Sequence, residues 1–245
     1  MEQDDVPIGR VLTRREALAV LGVSGITLLG AHRGRGGRVP DLADPLPVCV
    51  VRPEQTEGPY FVDEKLDRSD IRTDPTTGAL KAGVPLALTL AVSRLSAGAC
   101  APLAGAHVDV WHCDALGVYS DVKDPHFNTV GQRFLRGYQR TDASGLVRFQ
   151  TIYPGWYPGR TVHVHFKIRT HPAAARGFAF TSQLYFNDAL TTRVHALPPY
   201  ASKGQRTGRN PDDEIYLQGG DQLVLAPAAS GPGYAATFPI GLHLS

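Results

Sequence analysis

From about Val48 onward, apolar positions recur at every second residue in short runs separated by clusters of Gly, Pro, Asp and Asn. That period of two belongs to strands buried on one face. In residues 84–92, Leu86, Leu88, Leu90 and Val92 share one face while Ala87, Thr89 and Ala91 take the other. Residues 107–113 alternate in the same way and run into a turn at Asp114, Ala115, Leu116 and Gly117, after which Tyr119 emerges just past a strand end. Residues 134–141 and 146–152 flank Asp142, Ala143, Ser144 and Gly145, which predicts a hairpin. Residues 180–186 read as a strand partnering the one at 162–168, and 216–217, 222–226 and 234–240 as later strands. No ten-residue stretch makes a convincing amphipathic helix. The expected fold is all-β, a single antiparallel β-sandwich with long active-site loops, over residues 47–245.

At 245 residues and 42% hydrophobic, the chain has enough apolar side chains for one sizeable core. A formal net charge of +2, with Lys and Arg scattered along the chain, gives no field that would attract nucleic acid. Residues 1–46 stand apart. Thr13, Arg14, Arg15 and Glu16 precede an apolar run at 17–31, followed by a Gly/Arg-rich linker. Paired arginines before a short apolar segment are similar to a twin-arginine export signal, and the run is too short for a stable membrane span. Export to the periplasm or exterior is the expectation, with a cytoplasmic protein carrying an amphipathic N-terminal helix as the alternative. Cys49, Cys100 and Cys113 match no metal spacing; one disulfide is allowed on export, and the pairing is open.

Candidate chemistry concentrates in GWYPGRTVHVHFKI, residues 155–168. His163 and His165 are two apart on a strand, so both imidazoles project from one face, while Val162, Val164, Phe166 and Ile168 turn to the core. Zinc, copper and iron all accept such a pair. No Asp or Glu lies between residues 143 and 187, so a site of two histidines and a carboxylate would need a distant ligand. Tyrosines are nearer. A phenol with an ordinary pKa of about 10 ligates at neutral pH only when a strongly acidic cation drives off its proton, and ferric iron is the obvious one.

The motifs TEGPYF (56–61), VDVWHCDALGVYS (108–120), Thr141 and Asp142 with Gly145, TIYPGWY (151–157), RTVHVHF (160–166) and SQLYF (182–186) occur in this order. Together they resemble the intradiol ring-cleavage dioxygenases, the family of catechol 1,2-dioxygenases and protocatechuate 3,4-dioxygenases, over roughly residues 48–190. The resemblance implies one non-haem Fe(III) per chain held by Tyr119, Tyr157, His163 and His165. It further implies catalytic roles for Tyr157 as the ligand that leaves, Arg160 as a fixed cation beside the ring and Gln183 as an orienting group. The implied partners are a catechol-type substrate and dioxygen, and the implied product is a cis,cis-muconate-type diacid. Members commonly form homo-oligomers. By nearness in sequence to the ligands, Leu116, Gly117, Val118, Trp156 and Tyr60 are the substrate-binding candidates, while Tyr153 reads as a packed aromatic. The stretch from Tyr157 to His163 is shorter than in well-known members, and the helical N-terminal segment used by catechol 1,2-dioxygenases for dimerisation has no counterpart. Two other readings stand beside this one: a cupin-like metalloenzyme using the histidine strand, and a non-catalytic β-sandwich binding module.

Overall fold

A computed structural model describes residues 49–96, 99–170 and 177–244. The export segment and linker expected over 1–46 lie outside these residues.

Strand β1 (Pro85–Ser96) shows why the chain layers as it does: its alternate residues Leu86, Leu88, Leu90 and Val92 are each at most 1% exposed. They form the floor of a sheet that must be covered by another apolar surface. Along one edge β1 pairs antiparallel with β7 (Leu146–Ile152) and then with β2 (Ala99–Pro102). Along the other it pairs in parallel with β11 (Gly233–His243), which carries β10 (Ala228–Ser230) on its outer edge. The second sheet runs β6 (Arg136–Arg140), β3 (His107–Trp111), β8 (His163–Arg169), β9 (Ala179–Tyr185), antiparallel throughout. Its inner face supplies Val108, Val110, Val164, Phe166 and Ile168 to the shared core. A two-stranded ribbon of β4 (Lys123–Asp124) and β5 (Phe127–Asn128) completes the strands.

Four expectations are corrected. The turn at Asp142–Gly145 forms, with Gly145 N–H donating to the Asp142 carbonyl at 2.9 Å. The strands it joins nevertheless enter different sheets, β6 beside β3 and β7 beside β1. The turn therefore carries the chain across the sandwich and closes no hairpin. Residues 216–217 lie in a turn, and where a strand was expected at 222–226 a short 3₁₀ helix, Gly220–Leu223, ends and Val224 makes a single bridge to Tyr185. The long β1–β11 pairing is parallel, so the sandwich is not wholly antiparallel. Finally, Asp188–His195 forms a helix, α1, whose Asn187 side chain caps the N–H groups of Ala189 and Leu190. Among the described residues no helix is long and apolar enough to cross a membrane.

Cys49 is joined to Cys100 of β2 by a disulfide, and Cys113 is a buried free thiol. The bridge starts an extended segment over residues 49–61 that crosses the outer face of the second sheet. There Gln55 N–H donates to the Thr181 carbonyl at 2.9 Å and Ser182 Oγ donates to the Pro53 carbonyl at 2.8 Å. That outer face, away from the core, is where the histidines of β8 point.

Candidate metal centre

Both faces of β8 are buried, for different reasons. Val164, Phe166 and Ile168 sit in the core at 0% exposure, whereas His163 and His165, each 2% exposed, are covered by loops. The β8 register places His165 between Trp111 of β3 and Gln183 of β9. The Trp111 indole stacks on the His165 imidazole, centroids 4.9 Å apart and planes 7° from parallel, which fixes the ring's plane. Gly58 approaches from the covering segment so closely that a Cβ there would lie 3.5 Å from His165 Cε1.

Tyr119 is delivered by the predicted turn. Asp114 Oδ1 accepts the N–H groups of Leu116 and Val118, both at 3.0 Å, and Gly117 occupies φ +79°. No side chain fits at Gly117, because a Cβ would lie 2.1 Å from the Trp156 carbonyl oxygen. The chain leaving this turn buries Tyr119 to 1% exposure, and Tyr60 from the covering segment stacks on it at 4.4 Å. Tyr157 comes from the loop between β7 and β8 and is only half-buried.

These four side chains meet at one point. His163 Nε2 lies 3.0 Å from His165 Nε2, 3.2 Å from Tyr157 Oη and 3.5 Å from Tyr119 Oη. His163 Nδ1 donates to the Thr161 carbonyl at 2.7 Å, which puts the ring's proton there and leaves a lone pair at Nε2 facing the other three groups. Burial depresses the His163 pKa to about 3, with Arg160 adding to the effect, and burial together with His163 pushes His165 well below the ordinary range. Both rings are neutral donors. His165 Nδ1 is buried with no hydrogen-bond partner among the described residues. Burial also raises both phenols above their ordinary value, so without a cation they hold their protons.

Neutral imidazoles and phenols crowded about one point suit a strongly acidic metal ion. Ligands about 2.0 to 2.2 Å from a shared metal lie roughly 3 Å from one another, the spacing found here. Among the described residues no group of three or more His, Cys, Asp or Glu comes together. The donors beside the histidines are therefore oxygen donors of the phenol type, and these fit ferric iron better than the softer divalent ions.

Arg160 stands beside this point and is tightly held. Its Nε donates to Asp213 Oδ2 at 2.9 Å and an Nη2 donates to Gln183 Oε1 at 2.5 Å. Burial opposes its charge, but Tyr157 and Asp213 outweigh that and hold its pKa above the ordinary value. Gln183 is fully buried, and its Nε2 donates to the Thr56 carbonyl at 3.0 Å. Of the five expected substrate-binding residues, Tyr60 stands against two of the expected ligands, stacked on Tyr119 and edge-on to Tyr157 at 6.3 Å. Gly117 serves the turn. Leu116 is 42% exposed and lines a cavity of about 140 Å³ with Lys81, Ala82 and Pro199, while Val118 and Trp156 pack on the main core. Tyr153 is wholly buried and bonds Thr191 Oγ1 at 2.7 Å, a packed aromatic as expected. His112 is also held away from the site, between the Cys113 carbonyl and Thr151 Oγ1.

Sequence reasoning did not find Trp111, Thr161, Tyr185 or Asp213. For Trp111 the only signal was its place in the alternating run at 107–113; its position opposite His165 follows from the pairing of β3 with β8. Asp213 had none: it lies 53 residues from Arg160 in an irregular segment.

A family model described as Dioxygenase matches residues 56–195. Catechol 1,2-dioxygenase 1 of Acinetobacter lwoffii is 28% identical over 209 residues, 73% of this chain and 63% of that protein. The protocatechuate 3,4-dioxygenase beta chain of Burkholderia cepacia is 33% identical over 129 residues, 49% of this chain and 54% of that one. The chain thus spans less than two thirds of either relative. Among solved structures, an intradiol ring-cleavage dioxygenase from Tetranychus urticae superposes with a TM-score of 0.67 at 28% identity, covering 80% of this chain and 95% of that chain.

Proposed function

We infer the function of this chain from the family to which it belongs, the intradiol ring-cleavage dioxygenases. The proposed activity is cleavage of a catechol-type ring between its two hydroxyl-bearing carbons, both atoms of dioxygen entering a cis,cis-muconate-type diacid. The observation that carries it is the convergence of His163, His165, Tyr157 and Tyr119 within 3.5 Å of one imidazole nitrogen. These four residues would hold one non-haem Fe(III) per chain, whose Lewis acidity would lower the pKa of oxygen donors bound to it and withdraw electron density from them.

The two tyrosines divide the work by burial. Tyr119, 1% exposed and stacked under Tyr60, is the permanent anchor. Tyr157, half-buried in the loop between β7 and β8, is the proposed leaving ligand, and its Oη, once deprotonated by the metal, would take a hydroxyl proton from the substrate as a general base. Arg160 offers a cation whose direction is fixed before substrate arrives, which stabilises negative charge developing on the ring. Gln183, clamped by Arg160, Thr56 and Tyr185, orients the bound ring by hydrogen bonding. The buried face and the Tyr60 stack keep bulk water from the reacting carbon.

Export is proposed on two supports: the paired arginines ahead of residues 17–31, and the Cys49–Cys100 disulfide, a bond favoured in oxidising compartments. Purified protein, expressed with iron supplied, is expected to be wine-red from tyrosinate-to-iron charge transfer, with one iron per chain, and to consume one dioxygen per catechol. A colourless, iron-free preparation that leaves catechol untouched would sink this reading.

A further inference from the structure

We propose that Asp213 is the positioning residue of this centre, fixing the Arg160 guanidinium against Gln183 and, through the Thr161 peptide, the entry of His163 into the sheet. The proposal rests on the reading of the site given above. It concerns a residue beyond position 195, where the family match ends.

Asp213 is 2% exposed, and its carboxylate is saturated. Oδ1 accepts the N–H groups of Ile215 and Tyr216 at 2.8 and 3.0 Å, which fixes the carboxylate to its own turn. Oδ2 accepts Arg160 Nε at 2.9 Å and the Thr161 N–H at 2.7 Å. One oxygen therefore sets the angle between the guanidinium and the backbone that follows it. Thr161 is gripped at its other polar groups as well: its Oγ1 donates to Asn210 Oδ1 at 2.7 Å, and its carbonyl receives the His163 Nδ1 proton at 2.7 Å. The chain of contacts runs from carboxylate to peptide to imidazole through buried groups. The other branch runs from Arg160 to Gln183 Oε1.

None of these contacts reaches a donor atom of the ligand set, so Asp213 acts through Arg160 and Thr161. A buried carboxylate removed from one side of such a pair leaves the guanidinium unpaired, and it will seek a new partner. Asp213→Asn keeps the shape but sets an NH₂ group against either the Arg160 and Thr161 donors or the Ile215 and Tyr216 donors. Either orientation breaks two of the four hydrogen bonds.

The test uses the full chain loaded with iron. In Asp213→Asn the melting temperature is expected to fall, because a buried pair is broken, while iron per folded chain stays near that of the parent and kcat falls about 10- to 100-fold, with KM changing much less. Arg160→Ala alone should cost at least as much, and adding Asp213→Asn to it should cost far less than the product of the two losses, because the Arg160 branch is shared. Losses that multiply in the double variant, or an activity loss matched by iron loss, would overturn the positioning role. If Asp213→Asn does not fold, Asp213→Ser is the substitute, since a serine hydroxyl can still cap the turn at Ile215. A second arm needs no turnover: in ¹⁵N-labelled metal-free protein, the Arg160 Nε–H should exchange slowly and vanish from the spectrum in Asp213→Asn. Rapid exchange in the parent would reject the contact, whereas slow exchange in a protein inactive on catechol would reject the reaction and keep the contact.

Discussion

Removing the disulfide by the double substitution Cys49→Ser, Cys100→Ser should lower stability strongly while leaving the metal centre in place. The bridge joins residues 51 apart in sequence. In the chain-entropy account, closing such a loop takes about 14 cal/mol/K from the unfolded chain, or about 4 kcal/mol at 25 °C. For a chain of this size that is roughly 8 to 16 °C in Tm. The folded state loses little, because the covering segment has other anchors. Gly241 N–H donates to the Val50 carbonyl at 2.8 Å, Arg52 lies 4.6 Å over the Phe238 ring, and Gln55 Nε2 donates to the Ile215 carbonyl at 2.8 Å. The assay is urea unfolding followed by the fluorescence of buried Trp111 and Trp156, with iron per chain measured on the folded variant at 25 °C. The expected result is a lower midpoint, a similar slope and unchanged iron content. A stability loss below about 1 kcal/mol would refute the entropic reasoning, and loss of iron from a folded variant would refute the claim that the other anchors suffice.

Other perturbations separate the layers of the site. Tyr157→Phe should shift the charge-transfer band yet keep iron, since it removes only the ligand expected to leave, whereas His163→Ala removes the donor that the other three lie against and should abolish iron binding; unchanged colour and iron in both would reject the ligand set. Gly117→Ala forces a Cβ onto the Trp156 carbonyl at φ +79° and should cost at least about 2 kcal/mol, read by urea unfolding, with weaker iron retention because Tyr119 follows that turn. His112 is depressed by burial from 6.5 to about 4 although its bond to the Cys113 carbonyl opposes this. Between those values the unfolded chain binds a proton that the folded chain refuses. Its contribution is thus complete above pH 6.5 and is lost as pH falls toward 4, by about 1.4 kcal/mol per unit. His112→Gln should flatten the stability profile of metal-free protein in that window; an unaltered slope would contradict the assignment.

What was legible in the sequence is what period two encodes. The alternation in 84–92 became β1 with the expected face inward, and Val164, Phe166 and Ile168 entered the core while His163 and His165 faced the other way. The turn before Tyr119 was readable because Asp114 and Gly117 have conformational preferences of their own. Beyond the pairing of β8 with β9, lateral pairing was not readable in this way. The Asp142–Gly145 turn has the same chemistry whether its strands pair with each other or part into two sheets, and β11 pairs in parallel with β1 only after some 140 intervening residues have gone round the sandwich. Helix α1 has only 8 residues, too few for its period to stand out.

The division within the centre follows from the same physics. A strand can present two histidines on one face for local reasons, but that face then carries buried polar groups and needs a cover that satisfies them. The cover comes from residues 49–61 and 200–225, which have little regular structure and act through individual hydrogen bonds to Thr181, Ser182, Gln183, Arg160 and Thr161. Each such bond is set by three-dimensional closeness and leaves no spacing in the chain. The gathering of Tyr119, Tyr157, His163 and His165 was therefore legible and its supports were not, although the supports decide where Arg160 points. Substitutions in 200–225 are thus the ones expected to tune turnover without removing the metal, and substitutions at Tyr119, Tyr157, His163 or His165 the ones that remove or recolour it.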